Sequence, residues 1–201
     1  MTAAAGARLL VDETYRHAAD ELLPAAASLG PHVIGVSSLS KAYGLPGIRM
    51  GWLSTGDPEL MTTLLAAKEQ VGICSSILDE AVAARVMARR TEHLAPLRER
   101  MARHRAIVAD WVESEPRVEW VPPGSGVVCV VRLRTEAGVR VDDFHDVLLR
   151  RHRTYVGPGH WFGLDDRHMR VGFAWPEEAD LRAGLARVSL AIDETSGQRR
   201  T

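Results

Sequence analysis

The sequence predicts an α/β segment followed by a smaller α+β unit, and three observations predict it. Short aliphatic runs without polar alternation stand at Arg8 to Val11 and His32 to Val36, as expected of strands covered on both faces of a parallel sheet. From Asp57 the apolar period lengthens to that of helices: Leu94, Leu97, Met101, His104, Val108 and Trp111 follow in alternating steps of three and four. After Glu115-Pro116 strand-like and helix-like segments mix again.

In chain order, the first strand ends at Asp12 and the second runs into Ser37 and Ser38. Between them Ala18 to Leu29 is rich in Ala and Leu but broken by Pro24 and closed by Gly30, which predicts a loop or short helical crossover. Met50 to Ser54 gives a third short strand. Asp57-Pro58 is an N-cap followed by proline at the first helical position, and Leu60 and Leu64 continue that helix. A second helix is expected over Ser76 to Arg90, and the long periodic stretch makes a third, with Arg98, Arg103, Arg105 and Asp110 on its opposite face. Val118 to Val121 and Val127 to Leu133 read as strands joined by a Pro/Gly turn. A helix over Asp142 to His152 and a strand at Met169 to Ala174 precede a last helix carrying Leu181, Leu185, Val188 and Ile192.

The 201 residues hold 25 Lys+Arg against 26 Asp+Glu, a net charge of −1. Such a balance argues against nucleic acid or an anionic membrane surface as a partner. Cys74 and Cys129 are far apart and lack metal-ligand spacing, so neither a disulfide framework nor a metal site is expected. No apolar run approaches the ~20 residues that span a bilayer, and Met1 to Leu10 lacks the basic start of a secretory signal. The expected setting is cytoplasmic. Of the basic residues only Lys41 and Lys68 are lysines, so chemistry that needs a side-chain amine has two candidates.

The informative segment is Ser38-Leu39-Ser40-Lys41-Ala42-Tyr43-Gly44-Leu45-Pro46-Gly47-Ile48-Arg49-Met50-Gly51. A lysine at the end of such a strand points into the crevice where open α/β sheets bind ligands. Partial withdrawal from water and nearby positive charge make an amine easier to deprotonate, which favours Schiff-base chemistry. Gly44 and Gly47 are expected to turn the backbone tightly, bringing Arg49 back to an anion that Ser38 and Ser40 also reach.

This segment resembles the lysine signature of the class I/II aminotransferases, the fold-type I pyridoxal-phosphate enzymes. Val11-Asp12-Glu13-Thr14-Tyr15 resembles the family's Asp-Glu-x-Tyr, and Met169-Arg170-Val171-Gly172-Phe173 resembles its substrate-carboxylate strand. Val156-Gly157-Pro158-Gly159 followed by Trp161-Phe162-Gly163 is similar to the loop just upstream of that strand. The resemblance covers the C-terminal half of a full member. It implies the later part of the large domain, with an incomplete, mostly parallel sheet, over 1–90; a connecting helix over 91–115; a small α+β domain over 116–196; and a disordered tail over 197–201.

The resemblance also implies roles. Lys41 would carry pyridoxal 5′-phosphate as a Schiff base, Asp12 would pair with the ring nitrogen, and Tyr15 would bond the phenolic oxygen. Ser38, Ser40 and Arg49 would hold the phosphate, and Arg170 the substrate α-carboxylate. The implied partners are an amino acid and a 2-oxo acid, and the complete protein would be a homodimer. Read without the resemblance, Arg170 is a candidate for a structural ion pair, His104 for a packing or capping histidine, and Lys68 for a solvated helix residue. Two further readings stand beside transamination. One is a catalytically silent fragment. The other is a pyridoxal-phosphate-dependent lyase or cyclase, since Gly157 to Gly163 is similar to enzymes of arginine-derived antibiotic pathways of the capreomycidine-synthase kind.

Overall fold

The strands β1 (Leu9–Asp12) and β2 (Val33–Ser38) pair in parallel, with Leu9 opposite Val33 and Asp12 opposite Val36. A third strand, β3 (Gly51–Thr55), runs antiparallel to β2, with Thr55 opposite Ile34 and Gly51 opposite Ser38. The sheet order is β1-β2-β3, so this sheet has one parallel and one antiparallel ladder. The computed structural model describes residues 2–19 and 21–197.

Burial along β2 alternates: Val33, Gly35 and Ser37 are buried, while Ile34, Val36 and Ser38 are only partly so. In β1 Leu10 is exposed. Cover on both faces, expected from the unbroken aliphatic runs, is therefore not what the described residues provide. Between β1 and β2 the described residues form two short 3-10 turns, Arg16–Ala18 and Ala26–Leu29, which do not cover both faces, and an aliphatic run does not specify which neighbours are present to do so.

Helix α1 (Pro58–Val71) starts where the sequence indicates. The Asp57 Oδ1 accepts the N–H groups of Glu59 and Leu60 at 3.0 and 3.1 Å, satisfying two donors that the first helical turn leaves free. Helix α2 (Ile77–Ala88) is capped by Ser76, whose Oγ accepts the Asp79 N–H. The end of α1, the link and the start of α2 carry open apolar residues, with Val71 93%, Ile73 82% and Ile77 75% exposed. Helix α3 (Arg90–Ser114) follows. Contacts divide the chain into two units, Met1–Glu99 and Arg100–Thr201, and the division falls inside α3.

The second unit is a four-stranded antiparallel sheet of order β4-β5-β7-β6: β4 (Val118–Trp120), β5 (Val128–Leu133), β6 (Gly157–Pro158) and β7 (His168–Gly172). Helices α4 (Val141–Arg150) and α5 (Glu178–Thr195) complete it. One sheet face supplies Val131, Leu133, Met169 and Val171 to a core closed by Phe144 and Leu148 of α4 and by Val188 and Ile192 of α5. The other face carries Val130, Arg132, His168 and Arg170, as strand alternation requires. The polar tail expected over 197–201 lies, from residue 198 on, outside the described residues.

Two polar devices lock this unit. His104 is buried on α3, and its Nδ1 lies 2.7 Å from the Phe173 carbonyl oxygen; a carbonyl only accepts, so Nδ1 carries the proton. Arg117 grips Glu115 with Nε and Nη2 at 2.7 and 2.8 Å and reaches Asp193 of α5 with Nη1. Burial alone would raise the Glu115 carboxyl, but the bonds from Arg117 and Ser189 outweigh it and hold the group below the usual range. Among the described residues no helix is long and apolar enough to cross a membrane, and no cluster of three or more His, Cys, Asp or Glu is arranged to hold a metal ion.

Candidate active site

The β1/β2 register sets the site. Asp12 closes β1 opposite Val36, and β2 ends two residues later at Ser38, followed by Ser40 and Lys41. Because β3 is antiparallel and Gly51 faces Ser38, Arg49 enters from the same end of the sheet. Five of the sequence-designated residues thus gather where the parallel strands finish, the position at which open α/β sheets bind ligands. Tyr15, the sixth on this unit, lies exposed in the turn just after Asp12.

The turn that presents Lys41 is closed by backbone bonds. Leu39 N–H donates to the Met50 carbonyl, Gly44 N–H to that of Lys41 and Leu45 N–H to that of Leu39, each at 3.0 Å. Gly44 takes the left-handed conformation, φ 68°. Gly47 does not; the second left-handed residue is Arg49 itself, φ 49°, whose Nη1 donates to the Pro46 carbonyl at 3.0 Å. The tight return expected from two glycines is made by one glycine and the arginine. The Ser38 Oγ accepts the Ser40 N–H at 3.3 Å, so these two residues bond to each other locally. Lys41 is exposed, so the described residues do not supply the withdrawal from water expected around its amine.

Asp12 keeps its charge. Its Oδ1 accepts the Thr14 hydroxyl and, at 2.9 Å, the Thr14 N–H, and these bonds hold the carboxyl below its usual range. Lys68, the other amine, sits late on α1 and donates to the Ile73 carbonyl at 2.9 Å, acting as a tie at the helix end.

A buttress that the sequence did not reveal lies beneath the lysine turn. The Tyr43 ring is 1% exposed, with His17 at 5.3 Å, Trp52 edge-on at 6.1 Å and His93 stacked at 6.2 Å. His93 Nε2 also donates to the Tyr43 carbonyl at 2.8 Å. Its only sequence signal is an aromatic residue two positions after Lys41. In the second unit Arg170 projects from the open face of β7, with its Cζ 5.0 Å from the centre of the Phe162 ring. Among the described residues no ion pair to it is formed.

The donor set of the first unit fits pyridoxal phosphate. It offers an amine for the aldehyde, an anionic carboxylate for a protonated ring nitrogen, and hydroxyls with a guanidinium for the phosphate. The family model for aminotransferase class I and II matches residues 1–188. The chain belongs to this family. It is 38% identical over 159 residues to capreomycidine synthase of Streptomyces vinaceus, covering 78% of this chain and 39% of that protein. Among solved structures, a PLP-dependent aminotransferase from Streptococcus suis superposes with a TM-score of 0.88 at 30% identity, over 98% of this chain and 52% of that one. The PLP-dependent cyclase OrfR gives 0.84 at 32% identity, over 96% and 52%. The fold is thus that of fold-type I pyridoxal-phosphate aminotransferases, and the chain spans about half the length, or less, of the relatives it matches.

Proposed function

We propose that this chain supplies the lysine-bearing and carboxylate-binding half of a pyridoxal-phosphate-dependent aminotransferase. The observation that carries the reading is the gathering of Asp12, Lys41 and Arg49 at one end of the β1-β2-β3 sheet. Pyridoxal phosphate, when bound, supplies a conjugated ring that accepts the electron pair left at the substrate Cα. Lys41 Nζ would anchor that group and, once freed by the incoming amino acid, would take the proton from the substrate Cα and deliver it to the cofactor's C4′ carbon. The Asp12 carboxylate holds the proton on the ring nitrogen, and its bonds from Thr14 keep it charged for that task. Tyr15 bonds the phenolic oxygen, while Ser38, Ser40 and Arg49 hold the phosphate. Arg170, free of any ion pair among the described residues, takes the α-carboxylate fork on fork. Residues 1–90 serve as the cofactor half, 91–115 as the connector and 116–196 as the small domain. The complete protein works as a cytoplasmic homodimer on an amino acid and a 2-oxo acid.

A second reading, a cyclase or lyase acting on an amino acid, is favoured by the 38% identity to capreomycidine synthase and the likeness to a PLP-dependent cyclase. The two share every role above and part at the fate of Cα. Passage of the amino group to a second 2-oxo acid marks transamination, and an eliminated or cyclised product formed without that transfer marks the other.

The test is chemical trapping. Incubation of the chain with pyridoxal phosphate, borohydride reduction and peptide mapping should place one adduct on Lys41. The Lys68→Ala variant should keep it and Lys41→Ala should lose it. An adduct that survives Lys41→Ala would sink the proposal.

A further inference from the structure

We infer that Phe162 is the positioning residue for Arg170: its ring carries the guanidinium plane and leaves the N–H fork open to a carboxylate. This rests on the proposed role of Arg170 as the substrate's carboxylate partner. The guanidinium carbon lies 5.0 Å from the Phe162 ring centre, within the range where the negative ring face attracts a cation. No carboxylate among the described residues competes for the fork. An unsupported arginine on an open strand face samples many rotamers and loses that freedom on binding; a ring beneath it removes part of that loss beforehand.

The backbone is built for this contact. Gly157 faces Arg170 across the β6–β7 ladder, and a Cβ there would stand 3.4 Å from the Arg170 Cβ and Nε and 3.5 Å from the Phe162 Cε2. A side chain at 157 would thus touch both the arginine stem and the ring. Phe162 is itself fixed at the end of a 3-10 turn, Gly159–Phe162, which Gly163 closes in the left-handed conformation, φ 71°. The start of that turn is tied down by the His160 N–H, which donates to Asp166 Oδ1 at 2.9 Å.

The experiment follows the Arg170 Nε–Hε nuclear magnetic resonance signal in the full chain, assigned by its loss in Arg170→Lys, during titration with pyruvate. In the wild type the signal should be ring-shifted and should move as pyruvate binds. In Phe162→Leu the ring shift should vanish and pyruvate should bind roughly two- to fivefold more weakly, the size of a cation–π contact at an exposed site. Phe162→Tyr should restore both. Phe162→Met, apolar and ringless, repeats the test if the leucine variant does not fold. Unchanged pyruvate affinity in the ringless variants overturns the positioning role and leaves Arg170 as a carboxylate site. A wild-type Arg170 signal indifferent to pyruvate removes the carboxylate role itself.

Discussion

Gly51 faces Ser38 across the β2–β3 ladder, and a Cβ on Gly51 would stand 2.8 Å from the Ser37 carbonyl oxygen. Backbone cannot yield as a flexible side chain does, so Gly51→Ala must push β3 away from the strand that delivers Lys41. The expected cost is ~1–3 kcal/mol, the range for overpacking, read from urea unfolding. Gly47→Ala, where a Cβ meets nothing within 4 Å and φ is not positive, should change stability by less than ~0.5 kcal/mol.

Glu115 and Arg117 make the second unit sensitive to acid. The folded Glu115 carboxyl sits below its usual range, so its stabilising effect is complete above the ordinary glutamate range and is lost as pH falls through the folded value. Glu115→Gln should cost ~1.5–3 kcal/mol at neutral pH, the range for hydrogen bonds to charged groups. The gap between variant and wild type should close on acidification. A gap that stays constant down to strongly acidic pH would contradict this assignment.

His104→Leu should destabilise by ~1–3 kcal/mol despite the gain in apolarity, because the Phe173 carbonyl loses a buried donor. His104→Asn, which keeps an N–H donor, should recover part of the loss. Thermal melts of the three proteins decide it.

The two thiols should behave oppositely. Cys74 is exposed, whereas burial pushes the Cys129 thiol up to about 12. Iodoacetamide at mildly alkaline pH should alkylate Cys74 alone in the native chain and both cysteines in denaturant. Native labelling of Cys129 would mean that the β5–β7 core opens readily.

Local signals were legible wherever local chemistry decides the structure. Asp57-Pro58 caps α1, the period of three and four from Leu94 to Trp111 runs along α3, and the small residues around Lys41 form the turn after β2. What depends on distant partners was not legible. The two-residue strand Gly157–Pro158 exists only because Arg170 and Met169 pair with it. The grip of Arg117 on Asp193 joins residues 76 positions apart. The stacking of His93 on Tyr43 comes from separate elements, and no spacing announces it. Unbroken aliphatic runs in β1 and β2 signalled cover on both faces, but that pattern records the strand's chemistry and not which neighbours are present.

The sheet of the first unit places β2 in the middle, so the outer side of β1 offers unpaired backbone groups among the described residues. A strand that joined that side in parallel would have to arrive by a long crossover, since a hairpin delivers only antiparallel neighbours. Asp12 is one of the four residues of that edge strand. Shielding the chain from unwanted strand addition and walling in the carboxylate proposed to meet the cofactor are therefore one and the same structural requirement.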